Sequence, residues 1–336
     1  MSRTHEAHAV ARKVRQPAPM SLWEFVVGQA RERVARQSLG LKVNLYRGYE
    51  VEALGQAMES LDLMRNCRLE CLMVGDSYFM THLGRPSTRL ETVEEQVWGM
   101  DQMLTLLQEV RGAMTRAFPA YRRPFLLGDM PDGAATTPAV ALRSAEVMVE
   151  AGAEVLKVEV TSDASLAVLE ALCQEGFAVI AHLGYTPQGG VTRRYGDTLA
   201  EAREIFAGSR RVRDLGACGL VLEMVGEPVN QALCRPSPQA LPVYSIFSGK
   251  APCGGQSINV WDSVFLPSFK GKYFPPTAEH PVSAFPGVYT REVIARKVAE
   301  MLRLTLAGDF PLSPPSKLSP AEQEELRATD PWAATP

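Results

Sequence analysis

The sequence predicts an α/β fold, with a (β/α)8 TIM barrel in first place. Three observations lead there. Short apolar segments alternate with amphipathic helical segments at least six times, the pattern of a parallel sheet. The chain has 336 residues, enough for one large barrel or two ordinary domains. And the apolar segments end in polar residues, Asp76-Ser77, Asp129, His182 and Glu223, where barrels place their chemistry. A doubly wound open sheet comes second. No GxGxxG follows the first strand, which weakens a dinucleotide-binding version.

Each element has a local reason. Residues 1–20 read as a disordered arm. Ser21 with Glu24 makes a capping box, so a helix is expected to about Gln37. Leu41 to Tyr46 is apolar enough for a first strand, and Gly48 to about Leu63 follows as a helix. Leu69 to Val74 is the second strand. Thr92 and Glu95 form another capping box, and Val93, Val97, Met100, Leu104, Leu107 and Val110 continue at helical spacing toward Pro119. Pro124 to Leu127 is a strand ending at Gly128-Asp129. Thr137 caps a helix with Pro138 at its first position, and Ala151-Gly152 stops it. Val155 to Val160 and Phe177 to Ala181 are strands around a helix at Leu166 to Cys173. Leu199 to about Leu215 is a helix, and Leu220 to Leu222 a strand ending at Glu223. Val243 to Phe247 is another strand, and Arg291 to Leu306 a last amphipathic helix. The stretch 270–286, rich in proline and aromatics, reads as an irregular loop. The barrel is expected over 21–310. Residues 311–336 hold six prolines and read as a tail.

Composition narrows function. Apolar residues make up 46% and charged residues 22%, so a sizeable core is expected. The net charge of −3, without a basic stripe, argues against nucleic acid. No segment reaches the length of a membrane span, and no apolar run follows the basic N-terminus as in a secretory signal. The six cysteines form no CxxC pair, which suits free thiols in a reducing compartment. A cytoplasmic location is the expectation.

The strand ends carry the chemistry. In Leu156-Lys157-Val158-Glu159-Val160, side chains alternate, so Lys157 and Glu159 share one face and the apolar residues the other. The apolar face of a barrel strand packs on the outer helices, which turns Lys157 and Glu159 inward. Charges there are costly unless paired or bound to metal. Either a structural Lys–Glu pair or a site satisfies that. Asp76, Asp129 and Glu159 are three carboxylates at three strand ends, an all-oxygen set that suits Mg²⁺. Ser77 can donate to a substrate oxygen. Glu223 is a base if partly desolvated, and otherwise a cap or an exposed acid. His182 can hydrogen-bond a substrate oxygen. His82 lacks such a context and reads as structural.

These residues sit in segments with a family resemblance. Val74-Gly75-Asp76-Ser77, Leu83-Gly84 and Ser87-Thr88 resemble the first signature of ketopantoate hydroxymethyltransferase. So do GDMP at 128–131, AGAEVLKVE at 151–159, AHLGYTPQ at 181–188, LVLE at 220–223, Gly255-Gln256 and AGDFP at 307–311. The resemblance runs from about Leu41 to Pro311. It implies a barrel of the phosphoenolpyruvate mutase/isocitrate lyase type, with Asp76, Asp129 and Glu159 around Mg²⁺. It implies Ser77 and Lys157 on the substrate's carboxylate and oxygens, His182 orienting the 2-oxo acid or the product hydroxyl, and Glu223 as the base. The reaction implied is attack of a 2-oxo acid enolate on a one-carbon unit from methylenetetrahydrofolate. With the tail and the 270–286 segment, it also implies a homo-oligomer.

Several segments depart from the family pattern. Its Thr-Ala-Tyr-Asp type opening is here Asn44-Leu45-Tyr46-Arg47. The glycine after VGDS-x is Phe79, and an insertion at 62–68 precedes the second strand. Arg193-Arg194-Tyr195-Gly196 replaces a longer Gly-Gly-Tyr stretch. Glu-x-Val-Pro becomes Glu223-Met224-Val225-Gly226. A late Gly-Ile-Gly-Ala-Gly becomes Ser245-Ile246-Phe247-Ser248-Gly249-Lys250. The catalytic set is kept while the walls have changed, so the expectation is a divergent member whose 2-oxo acid or electrophile differs from the usual one. A related C–C lyase is a competing reading, with Cys253 its only candidate loop cysteine and no Lys-Lys-Cys-Gly-His type segment present. A non-catalytic barrel is another, and retention of all three carboxylates with Lys157 and Glu223 speaks against it.

Overall fold

The computed structural model describes residue 28 and residues 39–61, 68–119, 123–189, 193–251, 254–259, 291–309 and 315–333. The expected N-terminal arm, the helix at 21–37 apart from Gly28, all but Arg68 of the 62–68 insertion, and the 270–286 loop lie outside them.

Eight parallel strands close into a barrel in chain order. They are β1 (Gly40–Asn44), β2 (Arg68–Val74), β3 (Phe125–Asp129), β4 (Val155–Glu159), β5 (Val179–Gly184), β6 (Gly219–Glu223), β7 (Val243–Ile246) and β8 (Gly255–Asn259). The predicted fold class is the observed one. β8 was not foreseen. It pairs with β1 in register from Gly40↔Gly255 to Asn44↔Asn259 and so closes the ring.

The helices follow their strands. They are α1 (Gly48–Ser60), the short α2 (Tyr78–Thr81), α3 (Val93–Ala117), α4 (Pro138–Glu150), α5 (Asp163–Gln174), α6 (Leu199–Asp214), α7 (Glu227–Leu233), α8 (Arg291–Leu306) and α9 (Pro320–Ala328). Their starts obey the local rules. The Thr92 hydroxyl accepts from the Glu95 backbone at 3.1 Å while the Glu95 side chain reaches back, and Thr137 caps a helix opened by Pro138. Among the described residues, no helix is long and apolar enough to cross a membrane.

Two apolar layers hold the barrel. One lies between strands and helices, with Leu41, Val43, Leu72, Val74, Leu126, Leu156 and Val158 all buried. The other fills the lower interior, where Cys71, Met73, Phe125, Leu127, Val155, Ile180, Cys218, Val221 and Tyr244 meet. Along β2 to β7 these two sets alternate, as the period of two requires. The apolar plug closes the floor, so the open end lies at the carboxyl ends of the strands.

The reading of 311–336 as a tail needs correction where the chain is described. Ser319 caps α9, with Pro320 at its first turn and Glu322 completing the capping box. α9 packs on α7, burying Leu326. Beyond it, Trp332 is fully buried and its Nε1 donates to the Leu233 carbonyl at 3.0 Å. Arg210 and Arg213 of α6 donate to the carbonyls of Pro331 and Trp332. Proline opens this helix rather than breaking it, and one buried indole anchors the segment to the barrel wall.

Candidate active site

Every sequence-predicted site residue lies at one mouth. Inward-facing residues at the strand ends are Asp129 on β3, Glu159 on β4, His182 on β5 and Glu223 on β6, with Asp76-Ser77 just after β2. They line a cavity of about 360 Å³, in the range of small-molecule sites.

Lys157 Nζ donates to Asp129 Oδ2 at 2.7 Å, and both side chains are buried. Burial alone would lower the Lys157 pKa. Asp129, Asp76 and Glu159 outweigh it and hold the ammonium above its ordinary range. Burial and the facing Asp129 push Asp76 well above the usual carboxylate range, and Lys157 and Gln188 only partly offset this. His182 lies between two carboxylates, with Nδ1 3.7 Å from Glu159 Oε1 and Nε2 3.4 Å from Glu223 Oε2. Burial and Lys157 work against its charged form, yet Glu159 and Glu223 prevail and raise its pKa.

Among the described residues, no three Asp, Glu, His or Cys side chains are drawn tightly enough together to enclose an ion as they stand. The donor set nevertheless fits a hard cation. Lys157 takes one oxygen of Asp129, the Gln188 amide donates to Asp76 Oδ2 at 3.1 Å, and the Gln188 backbone N–H donates to Glu159 Oε2 at 3.0 Å. Asp129 Oδ1 and Glu159 Oε1 are buried without a hydrogen-bond partner. Buried carboxylate oxygens left unsatisfied beside a crowded acid are what a divalent cation relieves.

The backbone fixes Glu223. Gly184 has φ +91°, and a Cβ on it would lie 2.3 Å from the Glu223 carbonyl oxygen. The glycine of His182-Leu183-Gly184 is therefore required for β5 to bring His182 beside Glu223. Just past the ends of β6 and β7, Met224 and Phe247 hold positive φ of 52° and 54°. Both line the cavity, in a conformation disfavoured for side chains of this size.

Residues 57–283 match the ketopantoate hydroxymethyltransferase family. The 3-methyl-2-oxobutanoate hydroxymethyltransferase of Desulfotalea psychrophila is 30% identical over 284 residues, covering 83% of this chain and 90% of that protein. This chain belongs to the ketopantoate hydroxymethyltransferase family. The relative of the same name from Ignicoccus hospitalis is 33% identical, covering 63% of this chain and 77% of its own. Among solved structures, phosphoenolpyruvate phosphomutase from Streptomyces platensis subsp. rosaceus aligns with a TM-score of 0.45 at 11% identity, over 69% of this chain and 79% of that one. That likeness is too loose to bear on function. As a member of this transferase family, the chain is an enzyme.

The site also holds residues that the sequence reading passed over. Gln188 bridges two of the three carboxylates, although AHLGYTPQ marked it out. Tyr46 Oη lies 2.8 Å from Ser77 Oγ and accepts from Asn259 Nδ2 at 2.8 Å. Lys42 and Asn44 face inward from β1 beside Ser257. The alternation in Leu41-Lys42-Val43-Asn44-Leu45 signalled this, by the same parity that turned Lys157 inward. His82, outside this set, pairs with Glu50 at 2.9 Å and stacks on Tyr78. Cys253 lies outside the described residues.

Proposed function

We propose that this family member is a Mg²⁺-dependent hydroxymethyltransferase, or an aldolase of the same type, that forms a C–C bond at C3 of a 2-oxo acid. The observation that carries the reading is the row Glu159–His182–Glu223 beside the Lys157–Asp129 pair. A carboxylate at the mouth, next to an imidazole and a carboxylate cluster, would serve as the base. Asp76, Asp129 and Glu159 would hold the ion, which would supply positive charge against the substrate's carboxylate and keto oxygens and so acidify C3.

The chain's own residues do the rest. Glu223, with its side chain 18% exposed, is reachable from the cavity and takes the C3 proton on its carboxylate. His182 steadies Oε2 of Glu223 and, when protonated, donates to a substrate oxygen. Ser77, oriented by Tyr46, donates to the substrate carboxylate, and Lys157 supports that negative charge. C3 of the enolate then bonds to a one-carbon unit at the oxidation level of formaldehyde. Methylenetetrahydrofolate is the candidate donor, with water supplying the hydroxyl oxygen and tetrahydrofolate leaving.

Exchange in D₂O tests the reading without a donor. With Mg²⁺, the protein should exchange C3 hydrogens in at least one of a panel of 2-oxo acids, and without metal it should not. Asp129→Asn should remain folded and bind Mg²⁺ at least roughly tenfold more weakly. Metal titrations that match wild type, together with no exchange anywhere in the panel, would sink the proposal.

A further inference from the structure

Across the mouth from the catalytic row stands a second polar wall. In an eight-stranded ring β1 and β8 lie opposite β5 and β4, so this wall faces His182 and Glu159. It is built from Lys42, Asn44, Ser257 and Asn259, all buried and all lining the same cavity. Lys42 Nζ donates to Asn44 Oδ1 at 2.6 Å and to Ser257 Oγ at 2.8 Å. Asn44 lies two residues nearer the mouth, so the ammonium points up the strand toward the cavity.

Lys42 differs from Lys157 in one respect. Lys157 is paired with Asp129, whereas both hydrogen-bond partners of Lys42 are neutral, and among the described residues no carboxylate lies within ion-pairing distance of it. A buried ammonium whose direct partners are all neutral is costly, and the more distant Asp129 and Glu223 offset that cost only in part. Burial accordingly pulls the Lys42 pKa down to about 8, which leaves it cationic at neutral pH. Two of the segments that depart from the family pattern, Asn44–Arg47 and Ser245–Lys250, border this wall.

We propose that the wall is a subsite for the far end of the substrate, and that this end is a carboxylate: the enzyme takes a 2-oxo diacid. Resting on the reading above, one end of the substrate lies at the carboxylate cluster and the other supplies Lys42 with its counter-ion. Lys42 has two N–H groups committed and a third for the ligand. Asn44 and Ser257 hold it in place, and Asn259 ties the wall to Tyr46 and so to Ser77.

The test compares 2-oxoglutarate with 5-methyl-2-oxohexanoate, in which an isopropyl group replaces the distal carboxylate. Affinities are measured by calorimetry in saturating Mg²⁺, and C3 exchange is followed in parallel. Wild type should bind the diacid at least about tenfold more tightly, the scale of a hydrogen bond to a charged group. Lys42→Met should reduce that preference to within about threefold. Should Lys42→Met fail to fold, Ser257→Ala should shift the ratio the same way by a smaller factor. Equal affinity for the two acids in wild type, or a preference that survives whichever variant folds, overturns the subsite. The parallel exchange data separate the two readings. Lys42-dependent preference without exchange would keep the subsite and remove the enolising reading, while exchange without preference would do the reverse.

Discussion

Glu223→Gln is expected to lower C3 exchange by roughly 10²–10⁴-fold, the usual range for loss of a general base. The amide matches the carboxylate in shape, so fold, metal binding and substrate affinity should be nearly unchanged. Its Oε2 lies 3.4 Å from His182 Nε2, so losing the charge should also weaken the support for a protonated imidazole. Lys157→Ala should behave differently. It removes the positive partner of Asp129 at 2.7 Å and leaves a crowded acid cluster without its ammonium. Substrate binding should then weaken along with the rate, a pattern that a lost base does not give. Isotope exchange under saturating 2-oxo acid, followed by NMR, makes the comparison. Wild-type exchange in Glu223→Gln would put the base elsewhere and leave Glu223 a structural acid.

The second large effect is on stability. Trp332→Ala should release the segment around α9 at a cost of about 3–5 kcal/mol, the range for emptying a buried aromatic site. The indole is fully buried, and its loss also strands the Leu233 carbonyl that it satisfies. The loss cannot exceed the docking free energy of the segment. A chain ending at residue 314 should therefore be no more stable than Trp332→Ala. Hydrogen exchange should show faster opening of α9 and of its neighbour α7, while the strands keep their protection. Wild-type exchange rates in α9 would show that the anchor lies elsewhere.

The sequence was legible where physics acts locally. Capping boxes placed α3, and Thr137 with Pro138 placed α4. The Lys157–Glu159 alternation located the inner face of β4 correctly. β8 was not legible, because Gly255-Gln256-Ser257-Ile258-Asn259 holds one large apolar residue. Its inner face serves a polar wall rather than a core, so the usual strand signal is absent. α7 was missed because Gly226 and Pro228, which open it, look like a turn. α9 was hidden behind its prolines, although Ser319 and Glu322 spelled a capping box. Asp76, Asp129 and Glu159 stood out as three carboxylates at three strand ends beside an inward Lys157, and Glu223 as a further acid ending a strand. Lys42 was less legible because it lies in a short strand whose apolar residues alone signal burial.

The seam between β1 and β8 has a kinetic consequence. Lys42 and Ser257 are 215 positions apart in the chain, so the ring closes only after its two ends meet, the kind of non-local pairing that slows folding. Until then Lys42 stays hydrated, and closure strips that water from a cation. Its pKa falls from 10.5 in the open chain to about 8 in the closed ring. The open chain therefore holds the proton more tightly, and this residue's contribution to stability grows as pH rises from about 8 toward 10.5. Over that window Lys42 favours the zipped ring, while the buried thiols Cys71 and Cys218 and the half-buried Cys173, whose pKa values burial raises, act the other way. In refolding experiments Lys42→Met should therefore lose stability relative to wild type as the pH rises from about 8 toward 10.5.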